Sequence, residues 1–337
     1  MLCFTLSVFL RNRKDIFSLT VFCTTIVMFI IMCAMRPMSS SDTHAYREAF
    51  LSGSRWYWEY GYTALIRISA LMFGDVYQLF FGLIAVINLT IAFISAKKLK
   101  YRIIPFVLLY IAVIGLLSSY ANLRQGLAIS FALLAYSFFA RNPSPTDKLL
   151  AVLFVSVAII FHISAIFILV LWAFSYVKIP TNKNFFIAVL VFLIAALYVD
   201  LYSQLYNAIL AIGNRLGIPN LHYLRPNSDG RRYLTTLAFP LLLFFVVLWI
   251  IKHKDIQDIA EEKAFRVVFI SVVLLIFFQN FLLFNRLFFF SLLLFIPPVI
   301  VYEKKCKYGF AVFPILTFAF ILYFIQYIVS ASSGLYF

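Results

Sequence analysis

The sequence predicts an all-α, polytopic membrane protein of about 10–11 transmembrane helices, with a polar cavity facing away from the cytoplasm. Three observations carry that expectation. Hydrophobic residues make up 64% of the chain and charged residues only 12%, against roughly 25% charged in a soluble domain. Apolar runs of spanning length recur along all 337 residues, so 1–337 reads as one integral membrane domain with no soluble lobe. The net charge of +15 lies in short loops between those runs, where Lys and Arg set topology. It is an orientation signal, and no nucleic-acid partner is expected.

Taken in order, Met1–Leu10 is apolar but short, and the basic cluster Arg11, Arg13, Lys14 follows it. A secretory signal has the opposite order, so a short, partly inserted helix is expected. Ile16–Met35 is the first clear span and runs outward. The outer segment 36–75 carries Asp42, His44, Tyr46, Arg47, Glu48, Arg55 and Glu59 among Trp56, Tyr57, Trp58, Tyr60 and Tyr62. Rings stack on the apolar faces of a pyranose while charged groups bond its hydroxyls, which makes this a sugar-handling surface. An aromatic belt at headgroup level explains the Trp and Tyr but not Asp42 and Glu59. Tyr60–Phe73, interrupted by Arg67, reads as an amphipathic surface helix whose apolar face is Leu65, Ile68, Leu71 and Met72.

Val76–Ala96 returns inward, and Lys97, Lys98, Lys100 and Arg102 mark the cytoplasmic side. Ile103–Ser119 goes out and Leu123–Ala140 comes back, which puts the polar knot Tyr120-Ala-Asn-Leu-Arg124-Gln125-Gly126-Leu-Ala128 at the outer tip. A guanidinium inside the membrane costs of order 3 kcal/mol and less near its edge, so Arg124 reads as functional; the plainer alternative is an Arg snorkelling from a helix end. The inner loop Arg141–Lys148 contains Pro143 and Pro145 as breakers. Leu149–Val177 is interrupted by Phe161-His162-Ile163-Ser164 and reads as one tilted span or as a hairpin turning near His162. The hairpin is preferred because it keeps Lys178 and Lys183 inside.

Phe185–Leu201 then goes outward into the second polar outer segment, 202–232, which holds Arg215, His222, Tyr223, Arg225, Asp229, Arg231 and Arg232. Tyr233–Ile251 comes in, and Lys252–Arg266 reads as a solvated charged connector. Val267–Phe284 and Leu287–Val301 form a hairpin tipped by Asn285-Arg286, and Phe310–Val329 is the last span. The four cysteines show no metal-ligand spacing, so neither a metal nor a disulfide framework nor a cofactor is expected.

Under this topology every basic residue outside is Arg, while the lysines lie inside. Avoidance of positive charge outside would thin both types alike. Arg grips phosphate through a planar fork and sheds water more easily than an ammonium, so the outer cavity suits a phosphate-bearing ligand.

The ordered motifs D-x-x-x-Y-x-x-x-F at Asp42, Tyr46 and Phe50, W-E-Y-G-Y around Glu59 to Tyr62, L-R-Q-G-L-A at Leu123 to Ala128, F-H-I-S-A at Phe161 to Ala165, and Arg286 before an aromatic run together resemble the EpsG family. Those proteins are Wzy-like polymerases of bacterial exopolysaccharide and O-antigen repeat units. Two positions depart from the family pattern: Ser41 replaces its glycine and Tyr60 its proline. The resemblance implies a bacterial inner (plasma) membrane protein with its site facing the periplasm, and polyprenyl-pyrophosphate-linked oligosaccharide as substrate. Membrane lipid and a chain-length regulator protein are the other partners it admits.

In that reaction an acceptor hydroxyl attacks the anomeric carbon and lipid pyrophosphate leaves, without a metal. Arg124, Arg286 and Arg215 would meet the charge growing on the leaving group. Glu59, Asp42 or His162 would take the hydroxyl proton. Gln125, Arg47, Tyr46, Tyr62 and Tyr223 would line the substrate. A flippase or transporter of lipid-linked oligosaccharide, an O-antigen ligase and a membrane acyltransferase use similar residues, and their products separate them.

Overall fold

The computed structural model describes most of residues 2–180, short stretches between 184 and 211, the helix at 259–277 and parts of 290–300 and 314–321. Arg215, Tyr223 and Arg286 lie outside the described residues, as do most of the second outer segment and the tip at 285–286. The chain forms two compact units, Met1–Ile168 with Ile296–Phe337, and Leu169–Phe295. Among the described residues the regular structure is helical, as expected of an all-α chain.

The first unit opens with α1 (Leu2–Leu10) and α2 (Ile16–Ala34). The Asp15 side chain caps α2 by accepting from the Ser18 N–H at 2.7 Å. Helix α3 (Ser41–Ser52) and α4 (Tyr60–Phe73) fill the outer segment. Then come α5 (Tyr77–Lys98), α6 (Ile103–Tyr110) running into a π-helical stretch at Ile111–Gly115, and α7 (Leu123–Phe139). Helix α8 (Pro145–Phe161) ends at His162, followed by a 3₁₀ turn at Ile163–Ile166, and α9 (Phe167–Phe174) belongs mostly to the second unit. Two of the described helices, α2 and α5, are long and apolar enough to cross a membrane, with 19 and 22 residues.

Two sequence expectations are corrected here. Pro145 does not break the chain but starts α8: it sits in the first helical turn, where its missing N–H costs nothing. Ser144 and Asp147 close a reciprocal capping box around it, so the helix begins before Leu149. On α4 the face packed on the protein is Tyr62, Ile66 and Ser69, while Ile68, Leu71 and Met72 point outward, which leaves them open to lipid as an amphipathic surface helix requires. Lipid is as apolar as those aliphatic side chains, so shape selects the inner face rather than hydrophobicity. Tyr62 lies 5.6 Å from Tyr46 and 6.0 Å from Phe80, ring centre to ring centre. In the second unit the charged connector is partly helical, because the helix Ile259–Phe277 begins inside it and buries Ala264 and Phe265. Glu262 pairs with Arg266 one turn on, an i,i+4 contact that supports the helix where it emerges from the connector.

The ends of the first unit are set by charged contacts. Lys98 Nζ meets Asp147 Oδ1 at 2.7 Å and lies 4.6 Å from the Phe138 ring. Arg102 donates to Asn12 Oδ1 at 2.6 Å, and Arg141 lies 5.4 Å from the Tyr101 ring. The C-terminal ends of α5 and α7 and the N-terminal end of α8 therefore share one end. With 17 residues each, α7 and α8 rise about 25 Å from it. Arg124 and His162 come out together at the opposite end.

Buried polar groups hold the helices that carry Arg124. Asn88, wholly buried on α5, donates to Ser119 Oγ at 3.0 Å, and the Tyr110 hydroxyl lies 2.7 Å from Ser130 Oγ on α7. Interhelical hydrogen bonds of this kind join helices that lipid would otherwise solvate equally well.

Candidate active site

Three segments far apart in the chain meet at the end opposite Lys98. Glu59 is the residue before α4, in extended backbone, and its carbonyl accepts the Thr63 N–H at 3.0 Å. Its side chain does not cap its own helix. It reaches across instead, where Oε2 accepts from Arg124 Nη1 at 2.7 Å and Oε1 accepts from His162 Nδ1 at 2.5 Å. The partners stand 65 and 103 residues away in sequence.

Each partner is held by its own segment. Arg124 occupies the first turn of α7, where the Gly126 N–H donates to the Asn122 carbonyl at 2.7 Å. Its guanidinium also bonds the Tyr46 side chain from α3. His162 ends α8 with φ −160° and ψ 121°, its N–H given to Ala158 and its carbonyl to the Ala165 N–H. Phe161 beside it stacks on Phe131 of α7, ring centres 5.4 Å apart. The imidazole is thus positioned by backbone on both sides.

Electrostatics then assign the proton. Burial alone would raise the Glu59 pKa, but the hydrogen bond from His162, a backbone bond and the Arg124 charge outweigh it and bring it down to about 2. Glu59 is ionised at any working pH, and an ionised carboxylate only accepts. His162 must therefore donate from Nδ1, and Nε2 is the ring nitrogen turned away from Glu59. The side chains retain 18% (Glu59), 28% (Arg124) and 12% (His162) exposure, so a substrate hydroxyl can reach the cluster. A carboxylate bonded to an imidazole in this way can orient the ring for proton transfer.

The other sequence candidates take different places. Tyr46 is nearly buried and Tyr62 wholly so, both within an aromatic cluster with Phe50, Phe80 and Phe81 beneath the site. Gln125 is nearly buried on the inner side of α7. Arg47 pairs with Glu48 at 3.1 Å and lies 5.2 Å from the Tyr77 ring. Asp42 lies in α3, with its side chain outside the described residues. The helix break falls at His162, inside the interruption Phe161–Ser164 that the sequence shows.

Sequence reasoning missed two things. It did not pair Glu59 with Arg124 or His162, because nothing local connects them. It also counted Arg36 only as one of the outer arginines, whereas it is buried with its guanidinium 3.6 Å from the Phe81 ring and 6.0 Å from that of Tyr46. The signal available for Arg36 was its position at the outward end of the first span.

A family model described as the EpsG family matches residues 19–337. No curated protein and no solved structure matches the chain.

Proposed function

Because the chain belongs to the EpsG family, we propose that it polymerises lipid-linked oligosaccharide repeat units into exopolysaccharide or O-antigen, from the periplasmic face of the bacterial plasma membrane. The donor is a growing chain on polyprenyl pyrophosphate, and the acceptor is a hydroxyl of the next repeat unit. The acceptor oxygen forms a bond to the anomeric carbon as the bond to the pyrophosphate oxygen breaks. Polyprenyl pyrophosphate leaves, and the acceptor proton passes to His162 Nε2.

The observation that carries this reading is the bridging carboxylate of Glu59, between Arg124 and His162. Glu59 is too weak a base to take the proton itself, with its pKa down near 2. Its work is to hold the imidazole in the Nδ1–H form and to balance the imidazolium that forms. A guanidinium has five N–H donors in a fixed fork, so Arg124 can keep Glu59 and still face a phosphate oxygen. Arg286 and Arg215 are proposed as further cations for the leaving group, and Asp42 as a contact to the acceptor sugar. The site lies opposite the Lys98 end, which supports an outward placement by the positive-inside bias.

The test is a purified preparation given a defined polyprenyl-pyrophosphate oligosaccharide. Dimers and longer ladders are expected from the wild type and none from His162→Ala. Absence of any dimer, with monomer translocated or transferred to another acceptor, would remove the polymerase reading. A full ladder from His162→Ala would remove His162 as the proton acceptor.

A further inference from the structure

Glu59 and His162 meet where α4 lies against the end of α8 without a side chain between them. Gly61, two residues after Glu59, faces Ile160, two residues before His162. A β-carbon built at Gly61 would stand 2.7 Å from Ile160 Cγ2 and 3.0 Å from the Ile160 carbonyl oxygen. Gly61 has no backbone conformation that excludes other residues, and Ala would be the better helix former at that position. The space is what excludes it.

We propose that Gly61 is a positioning residue of the reaction, setting the distance from the Glu59 carboxylate to the His162 ring by letting two helix ends touch. The inference rests on the catalytic reading of that pair. Gly126 plays the matching part for Arg124: a β-carbon there would stand 2.2 Å from the Ser118 carbonyl oxygen and 2.3 Å from its Cα. At Gly126 the obstacles are backbone atoms, so no second substitution can relieve them. At Gly61 the tightest obstacle is a side-chain methyl. Ile160 is itself half exposed, so its truncation opens no core.

That difference gives the test. Gly61→Ala pushes α4 away from α8, and Gly61→Ala with Ile160→Ala removes the methyl in the way. A displacement of about 1 Å at a reacting centre costs on the order of 100-fold in rate. Expected for Gly61→Ala is a loss of that size in kcat on lipid-linked repeat units, with KM nearly unchanged, and recovery of part of the loss in the double variant, since the Ile160 carbonyl oxygen stays 3.0 Å from the new β-carbon. A second readout needs no catalysis. Glu59→Cys/His162→Cys protein is treated with a short bifunctional thiol reagent, and the 59–162 link is quantified by mass spectrometry of its peptides.

The link should form readily with Gly61, fall with Gly61→Ala and return with Ile160→Ala added. Equal linking in all three backgrounds would overturn the proposal, as would a double variant no better than Gly61→Ala in either readout. If linking follows the expected order while the wild type makes no polymer, the positioning role stands and the polymerase reading falls.

Discussion

Replacing Glu59 by Gln keeps the shape of the side chain and removes its charge, which isolates the part the charge plays. In the folded protein the carboxyl pKa is held near 2 against an ordinary 4.5, a preference for the ionised form of about 3 kcal/mol. Glu59→Gln forfeits that preference and leaves Arg124 without its anionic partner. It also loses the tautomer, since an amide can offer His162 either its oxygen or its NH₂. By comparison with other carboxylate–imidazole pairs, turnover should fall of the order of 10³–10⁴-fold. The assay is initial rate of repeat-unit coupling by detergent-solubilised protein at matched loading, with thermal unfolding of the same samples as control.

The pH dependence follows from the sign of the shift. A depressed carboxylate pKa stabilises the fold fully above the ordinary value of 4.5, and the contribution is lost as pH falls toward 2. Wild-type protein should therefore lose thermal stability progressively below pH 4.5, and Glu59→Gln should lose less over the same window. Wild-type turnover by Glu59→Gln would refute the orienting role, whatever the stability curves show.

Arg124→Lys keeps the charge but not the fork that holds Glu59 and Tyr46 together, so coupling rate should drop at least ~10-fold, while Arg124→Ala should insert normally and stop at single-repeat product by gel analysis. Ser144→Ala opens the capping box of α8 at the end remote from the site; a stability loss of about 1 kcal/mol with unchanged kcat is expected from parallel melting and rate measurements. His162→Gln should insert and melt like the wild type yet make no ladder, because an amide cannot take up the acceptor proton.

Local regularities were legible along the chain. The bounds of α4 are those its pattern implied, the break at His162 follows from polar residues inside an apolar run, and Lys98 and Arg102 mark a shared charged end. These are short-range properties, decided by apolar period, turn chemistry and the aversion of charge to lipid. Pro145 shows the limit even at that range, since a breaker and a first-turn residue look alike until the capping partner is seen across the turn.

The all-α class, the order of the described helices up to α8 and the choice of Arg124, His162 and Glu59 as candidates came from the amino-acid sequence alone. Their union did not. Which face of α4 packs inward, which carboxylate meets which cation, and why Gly61 and Gly126 carry no side chain depend on contacts between residues far apart in the chain. Helix periodicity says that a side chain lies on a face; only packing says what stands opposite it, and proton transfer depends on that distance.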